Sequence, residues 1–348
     1  MLPPEFTRAE RAPEHDRKPL HGKVIAVTNQ KGGVGKTTST VNTSVILANR
    51  GYRVLLVDLD PQGNSTSSVG IDKNTIDTTT LELLLDGQSV ADVAIRNVRS
   101  GLDVSAAMPT LATAELELVG MERREHALAT ALRAAAPDYD VILIDCPPSL
   151  GLLTVNALTA SDVIVIPIQC EFLALEGVGQ LLQTVDLVKR HLNPGLDVLG
   201  VLMTMYDGRT RLAGHVVQEV RKYFGERVFD SIVPRSVRLA EAPSYGQAIV
   251  EYDPASRGGV AYEAFADELL TRLGIASRQL NTSWSPEDSH SPFINRPHGP
   301  MISGRYPWDN SSTRNRISAS PIALWMRTIS RNRKSATRCG PTSSSGLA

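Results

Sequence analysis

Lys23-Val24-Ile25-Ala26-Val27-Thr28-Asn29-Gln30-Lys31-Gly32-Gly33-Val34-Gly35-Lys36-Thr37-Thr38 carries more information than any other stretch of this 348-residue chain. Its first six residues are an apolar run that predicts a buried strand, and beyond Thr38 the apolar positions recur at helical spacing through Ala48. Strand, glycine-rich loop and helix, with Lys-Thr at the helix start, is the context of a phosphate-binding loop. Glycines let successive N–H groups turn inward toward phosphate oxygens, and the positive end of the following helix adds to the attraction. The predicted nucleotide-binding set is therefore Lys31, Gly32, Gly33, Val34, Gly35, Lys36, Thr37 and Thr38. Within it Lys36 is assigned to the β- and γ-phosphates, the Thr37 hydroxyl to Mg²⁺, and Thr38 to the α-phosphate. Gln30 stands where the ordinary motif has its first glycine, and Lys31 adds a second lysine to the loop.

Three aspartates end apolar runs elsewhere: Asp58 and Asp60 after Arg53–Val57, and Asp145 after Tyr139–Ile144. One such residue alone reads as a turn or helix cap. Three in a chain with a phosphate loop read differently, because ligands of open parallel sheets gather at the carboxyl ends of the strands. Asp145 is assigned to the metal through water, since Mg²⁺ sheds its water shell reluctantly. Asp60 is assigned to orienting the attacking water, and Asp58 to supporting both.

The order of elements alternates. Further strands are expected near Leu102–Ala106, Asp162–Ile168, Asp197–Thr204 and Val228–Val233, and helices near 111–136 (broken at Gly120), 173–191, 211–224 and 257–273. Such alternation predicts an α/β fold with a doubly wound, mostly parallel sheet flanked by helices on both faces. Hydrophobic residues make up 42% of the chain, enough for an aliphatic core. Cys146, Cys170 and Cys339 show neither disulfide nor metal spacing, which fits a reducing cytoplasm and excludes an iron–sulfur scaffold of the Cys-x-x-Cys kind. No apolar leader opens the chain, and no stretch is long and apolar enough to span a bilayer.

Lys-Gly-Gly-x-Gly-Lys-Thr-Thr at Lys31–Thr38 resembles the deviant Walker A motif of the ParA/MinD ATPases. Asp58-Leu59-Asp60-Pro61-Gln62 and Val141-Ile142-Leu143-Ile144-Asp145-Cys146-Pro147-Pro148 resemble that superfamily's second strand motif and Walker B strand. The match extends through Pro167–Glu171 and Val233–Ser244, which favours the ParA/Soj partition branch and covers residues 22–274. The resemblance implies a P-loop NTPase fold and slow, partner-stimulated hydrolysis of ATP with Mg²⁺. In it Lys31 reaches across an ATP-dependent homodimer, making Lys31, Lys36 and Asp60 the catalytic set. It further implies non-specific binding to nucleoid DNA through Arg209 and Arg238, with Arg211, Arg221 and Lys222 as neighbours. A ParB-type centromere-binding protein is the implied partner, and the implied location is cytoplasmic and nucleoid-associated. Pro234, in the loop after Val233, is implied to line the adenine. Thr204 and Met205 stand where relatives can carry Asn.

The ends depart from the family pattern. Residues 1–21 carry four basic and four acidic groups and are too short for a helix-turn-helix domain, so sequence-specific operator binding is not expected. Residues 281–348 carry nine basic and three acidic groups, a net of +6 against −7 for the preceding residues, and include Trp284, Trp308 and Trp325. Both ends, 1–21 and 277–348, are expected to be disordered extensions of an ATPase domain at 22–276. Two rival readings exist. A MinD-like membrane-associated positioning ATPase needs a basic amphipathic helix after the core, where this chain has Glu263, Asp267 and Glu268. A carboxylating synthetase on the same fold needs a small-molecule pocket with its own acid–base groups, and no second motif suggests one.

Overall fold

The computed structural model describes residues 22–276; both terminal extensions lie outside the described residues. Eight strands form one sheet: β1 (Lys23–Val27), β2 (Val54–Asp58), β3 (Ile95–Arg99), β4 (Leu102–Ser105), β5 (Val141–Asp145), β6 (Val163–Gln169), β7 (Asp197–Tyr206) and β8 (Val228–Pro234). Their spatial order is β3-β4-β2-β5-β1-β6-β7-β8, parallel except for the antiparallel β3–β4 pair. The central strands are apolar from end to end because helices cover both faces: all five residues of β2 and of β5 are buried. The longer helices are α1 (Lys36–Asn49), α2 (Ala127–Ala135), α3 (Leu152–Ala160), α4 (Val178–His191), α5 (Arg211–Phe224) and α6 (Arg257–Arg272).

Register brings the strand ends level. Asp145 pairs with Val27 of β1 on one side and with Asp58 of β2 on the other. The phosphate loop and two of the three aspartates therefore share one carboxyl edge, as the sheet rule requires.

α1 is buried on nearly every side, so its polar residues must be satisfied locally. Thr40 and Ser44 donate to the carbonyls of Lys36 and Thr40, and Asn42 donates to Thr38. Ser39 meets the Tyr262 hydroxyl of α6 at 3.0 Å, which locks the helix that starts in the phosphate loop against the last one. Arg50, at the end of α1, pairs with Glu263 and Asp267 of the same helix. Glu268 takes a different role, accepting the N–H groups of Asp230 and Ser231 on edge strand β8. Next to it Arg272 donates to the carbonyls of Leu199, Arg227 and Val228.

Three sequence expectations change. The helix expected at 111–136 is a series of short turns followed only by α2, because the chain reverses at Arg123 with φ of 54°. The helix expected from 173 begins at Val178, after Gly177 adopts φ of 78°. Strand β3 and helix α3 were not expected. The two-residue Ser100-Gly101 connection between Arg99 and Leu102, with Gly101 at φ of 80°, was the local signal for the β3–β4 hairpin.

Candidate nucleotide and magnesium site

The loop between β1 and α1 wraps an anion-sized cradle. Gly33 and Gly35 sit at φ of 71° and 90°, a region that disfavours side chains, and Gly35 leads directly into the first turn of α1. Asn29 anchors the start of the loop: its Oδ1 accepts the Lys31 N–H at 3.0 Å while its Nδ2 donates to the Pro167 carbonyl at 2.7 Å. Lys36 is buried and curls over the loop to donate to the Lys31 carbonyl at 3.2 Å. Burial pulls its pKa down, opposed by the nearby Asp145, Cys146 and Asp60. Lys31 is only half-buried, and among the described residues no ion pair holds its ammonium.

A brace that sequence reading did not assign comes from β7. The Thr204 hydroxyl donates to the Val34 carbonyl at 2.8 Å, and its methyl stands 3.6 Å from where a Cβ on Gly35 would lie. Thr204 thus meets the phosphate loop itself. Thr204→Val keeps the shape and leaves the Val34 carbonyl without its donor, so ATP affinity should fall roughly 5–10-fold with little change in kcat. A fluorescent-nucleotide titration checks this, and unchanged affinity would remove Thr204 from the site.

The carboxylates divide the work. Asp58 is fully buried and structural: Oδ1 accepts the Asp60 N–H, and Oδ2 accepts both the N–H and hydroxyl of Thr66 at 2.8 Å. Asp145 Oδ2 accepts the hydroxyls of Thr37 at 2.7 Å and Ser65 at 2.8 Å. Its other oxygen, Oδ1, is buried with no partner. Burial raises the pKa of both Asp58 and Asp145, and each carboxylate also disfavours ionisation of the other. An orphaned carboxylate oxygen beside a threonine hydroxyl and a buried lysine fits a hydrated Mg²⁺ on a phosphate chain. Among the described residues no cluster of three His, Cys, Asp or Glu could cage a metal without such a ligand. Asp60 is buried at the same edge, its Oδ1 accepting the Gln62 N–H at 3.0 Å. Lys73 holds that turn from behind by donating to the Gln62 carbonyl at 2.7 Å.

The remaining predicted residues lie farther along the same edge. Pro234 ends β8 opposite Tyr206, three strands from β1, and is half-buried. Arg209 follows β7, forked on Asp207 at 2.9 and 2.8 Å, with its side chain 88% exposed. Arg238 lies in the short helix Val237–Glu241, 3.1 Å from Glu241 and 3.5 Å from Asp253, with its guanidinium 5.9 Å from the Tyr252 ring centre. Arg211 and Lys222 are exposed, and Arg221 pairs with Asp230.

A family model described as an AAA domain matches residues 22–198. The sporulation initiation inhibitor protein Soj of Bacillus subtilis is 54% identical over 248 residues, spanning 71% of this chain and 98% of Soj. The chromosome partitioning protein ParA of Myxococcus xanthus is 50% identical over 251 residues, 72% of this chain and 89% of that protein. The chain belongs to the Soj/ParA family of chromosome-partitioning ATPases. Among solved structures, a cobyrinic acid a,c-diamide synthase from Mycobacterium smegmatis with bound ADP and magnesium is similar at TM-score 0.65 and 39% identity. That likeness spans 76% of this chain and 100% of the synthase. Soj/ParA membership agrees with the loop carrying two lysines, of which Lys36 faces inward and Lys31 is left for other contacts. Among the described residues no helix of this Soj/ParA protein is long and apolar enough to cross a membrane.

Proposed function

We propose that this partition ATPase binds ATP with Mg²⁺, dimerises with ATP between the subunits, and in that state clamps DNA without reading its sequence. The observation that carries the reading is the division of labour between the two loop lysines. Lys36 is committed to its own loop, whereas Lys31 keeps its ammonium free of ion pairs among the described residues and within reach of a second subunit. Held by the Thr37 hydroxyl and, through water, by Asp145, Mg²⁺ would supply positive charge to the β- and γ-phosphate oxygens. Lys36 neutralises the same oxygens, while the loop N–H groups orient them. Asp60 orients the attacking water and Asp58 keeps the Asp60 turn in place. Pro234 lines the adenine.

Arg209 and Arg238 would carry DNA phosphates. Their ion pairs are exposed, so exchanging a carboxylate for a phosphate oxygen costs little. A dimer pools the phosphate contacts of two subunits, which makes binding steep in ATP and in salt. Hydrolysis stays slow until a ParB-type partner engages the dimer; charge supplied in trans is worth roughly 10³–10⁵ in rate in other P-loop enzymes. The membrane reading is weakened by α6, whose Glu263 and Asp267 bind Arg50 and whose Glu268 binds β8. The likeness to a diamide synthase keeps a ligase-type reading in view, and fast ATP turnover without DNA or partner would favour it.

Binding to random-sequence duplex DNA with ATP, with ADP and without nucleotide tests the proposal. ATP should tighten binding, and Arg238→Glu should weaken it about tenfold or more with a shallower salt slope. Equal affinity in all three nucleotide states would overturn it.

A further inference from the structure

We propose that Arg99 is a positioning residue that ties the turn-and-helix behind Asp60 to the segment carrying Arg238, so that nucleotide at one is felt at the other. Arg99 ends β3 and forms a buried ion pair with Glu251, the two side chains 6% and 3% exposed. Its fork is fully used. Nε donates to Glu251 Oε1 at 2.5 Å, one terminal nitrogen to Glu251 Oε2 at 3.3 Å and the Gly246 carbonyl at 2.8 Å. The other donates to the carbonyls of Val69 at 3.2 Å and Val98 at 2.9 Å.

Those partners belong to two functional segments. Val69 follows the short helix Asn64–Ser68, whose Ser65 binds Asp145 and whose Thr66 binds Asp58. Gly246 and Glu251 lie in the run from Val237 to Tyr252, where Arg238 sits over the Tyr252 ring. The two backbones also touch: a Cβ on Gly246 would fall 2.6 Å from Gly70 Cα. Glycines at φ of 61° (Gly63) and 83° (Gly70) flank the short helix and allow it to swing. Because a buried guanidinium cannot leave its carboxylate without stranding a charge, movement of the helix must be shared by the Gly246–Glu251 stretch. A cleft of about 380 Å³ lined by Ser67, Gly70, Lys73 and Tyr245 opens over this junction and gives it room to shift. The inference rests on the proposed function only for what the Arg238 segment touches.

Hydrogen exchange read by mass spectrometry, on the full chain with ATPγS–Mg²⁺, with ADP–Mg²⁺ and without nucleotide, tests it. In wild type, ATPγS should slow exchange of residues 242–252 by about threefold or more. In Arg99→Met that response should vanish while ATPγS still protects residues 31–38; loss of packing alone would speed exchange in every nucleotide state. Should Arg99→Met fail to fold, Glu251→Gln decides, since it keeps an acceptor for the Ala248 N–H and removes the charge. A wild-type segment indifferent to nucleotide, or an equal response in the variants, would overturn the inference. The readout contains no DNA, so a coupled response in a protein that ignores DNA would sink only the DNA reading.

Discussion

Asp60→Ala should lower ATP turnover by roughly 10²–10⁴-fold and leave ATP affinity within about threefold of wild type. The reason is a separation visible in the site. Asp145 and Thr37 bind each other at the metal position, and Asp58 is consumed by the Asp60 and Thr66 N–H groups. Asp60 gives one oxygen to its own turn and is the carboxylate left to align a water. Its removal takes away positioning in the transition state while the loop, Lys36 and the metal ligands continue to hold ground-state nucleotide. Single-turnover hydrolysis beside a nucleotide titration measures both quantities. Turnover within a few-fold of wild type would move the water-orienting role elsewhere.

The second large effect is a contrast between two alanines five positions apart. Lys36→Ala should weaken ATP binding by roughly 10–150-fold, the worth of one buried charge-assisted contact. Lys31→Ala should leave ATP binding to the monomer nearly unchanged and abolish the ATP-dependent dimer, with DNA binding lost alongside it. Nucleotide titration and light scattering on the same samples distinguish the two. If Lys31→Ala weakened monomer affinity as much as Lys36→Ala, both lysines would serve one subunit's own phosphates and the bridging role would fall.

Legibility in the sequence followed the range over which each feature is coded. The phosphate loop and the runs ending at Asp58 and Asp145 were readable because strand, turn chemistry and helix start lie within a few residues of one another. Parallel strands buried on both faces also announce themselves as unbroken apolar runs. Thr204 was unreadable as a brace for the phosphate loop because its contact with Val34 spans 170 positions. Arg99 looked like one more surface arginine in a polar stretch, since nothing local marks Glu251 as its partner. The false helix at 111–136 arose from continuous helix-forming composition. It is broken by the backbone reversal at Arg123, a conformation that arginine does not signal.

The carboxylate of Glu268 on the Asp230 and Ser231 amides, with Arg272 on the Val228 carbonyl, has a consequence for how this molecule can multiply. A sheet grows by offering the unpaired amides and carbonyls of its outermost strand to a newcomer. Here side chains of the final helix already occupy such groups on β8, much as a stopper fills the end of a tube. Copies of this protein are thereby discouraged from joining sheet to sheet into fibres. Association is directed instead to the loops at the strands' carboxyl ends, where nucleotide can switch it on and off.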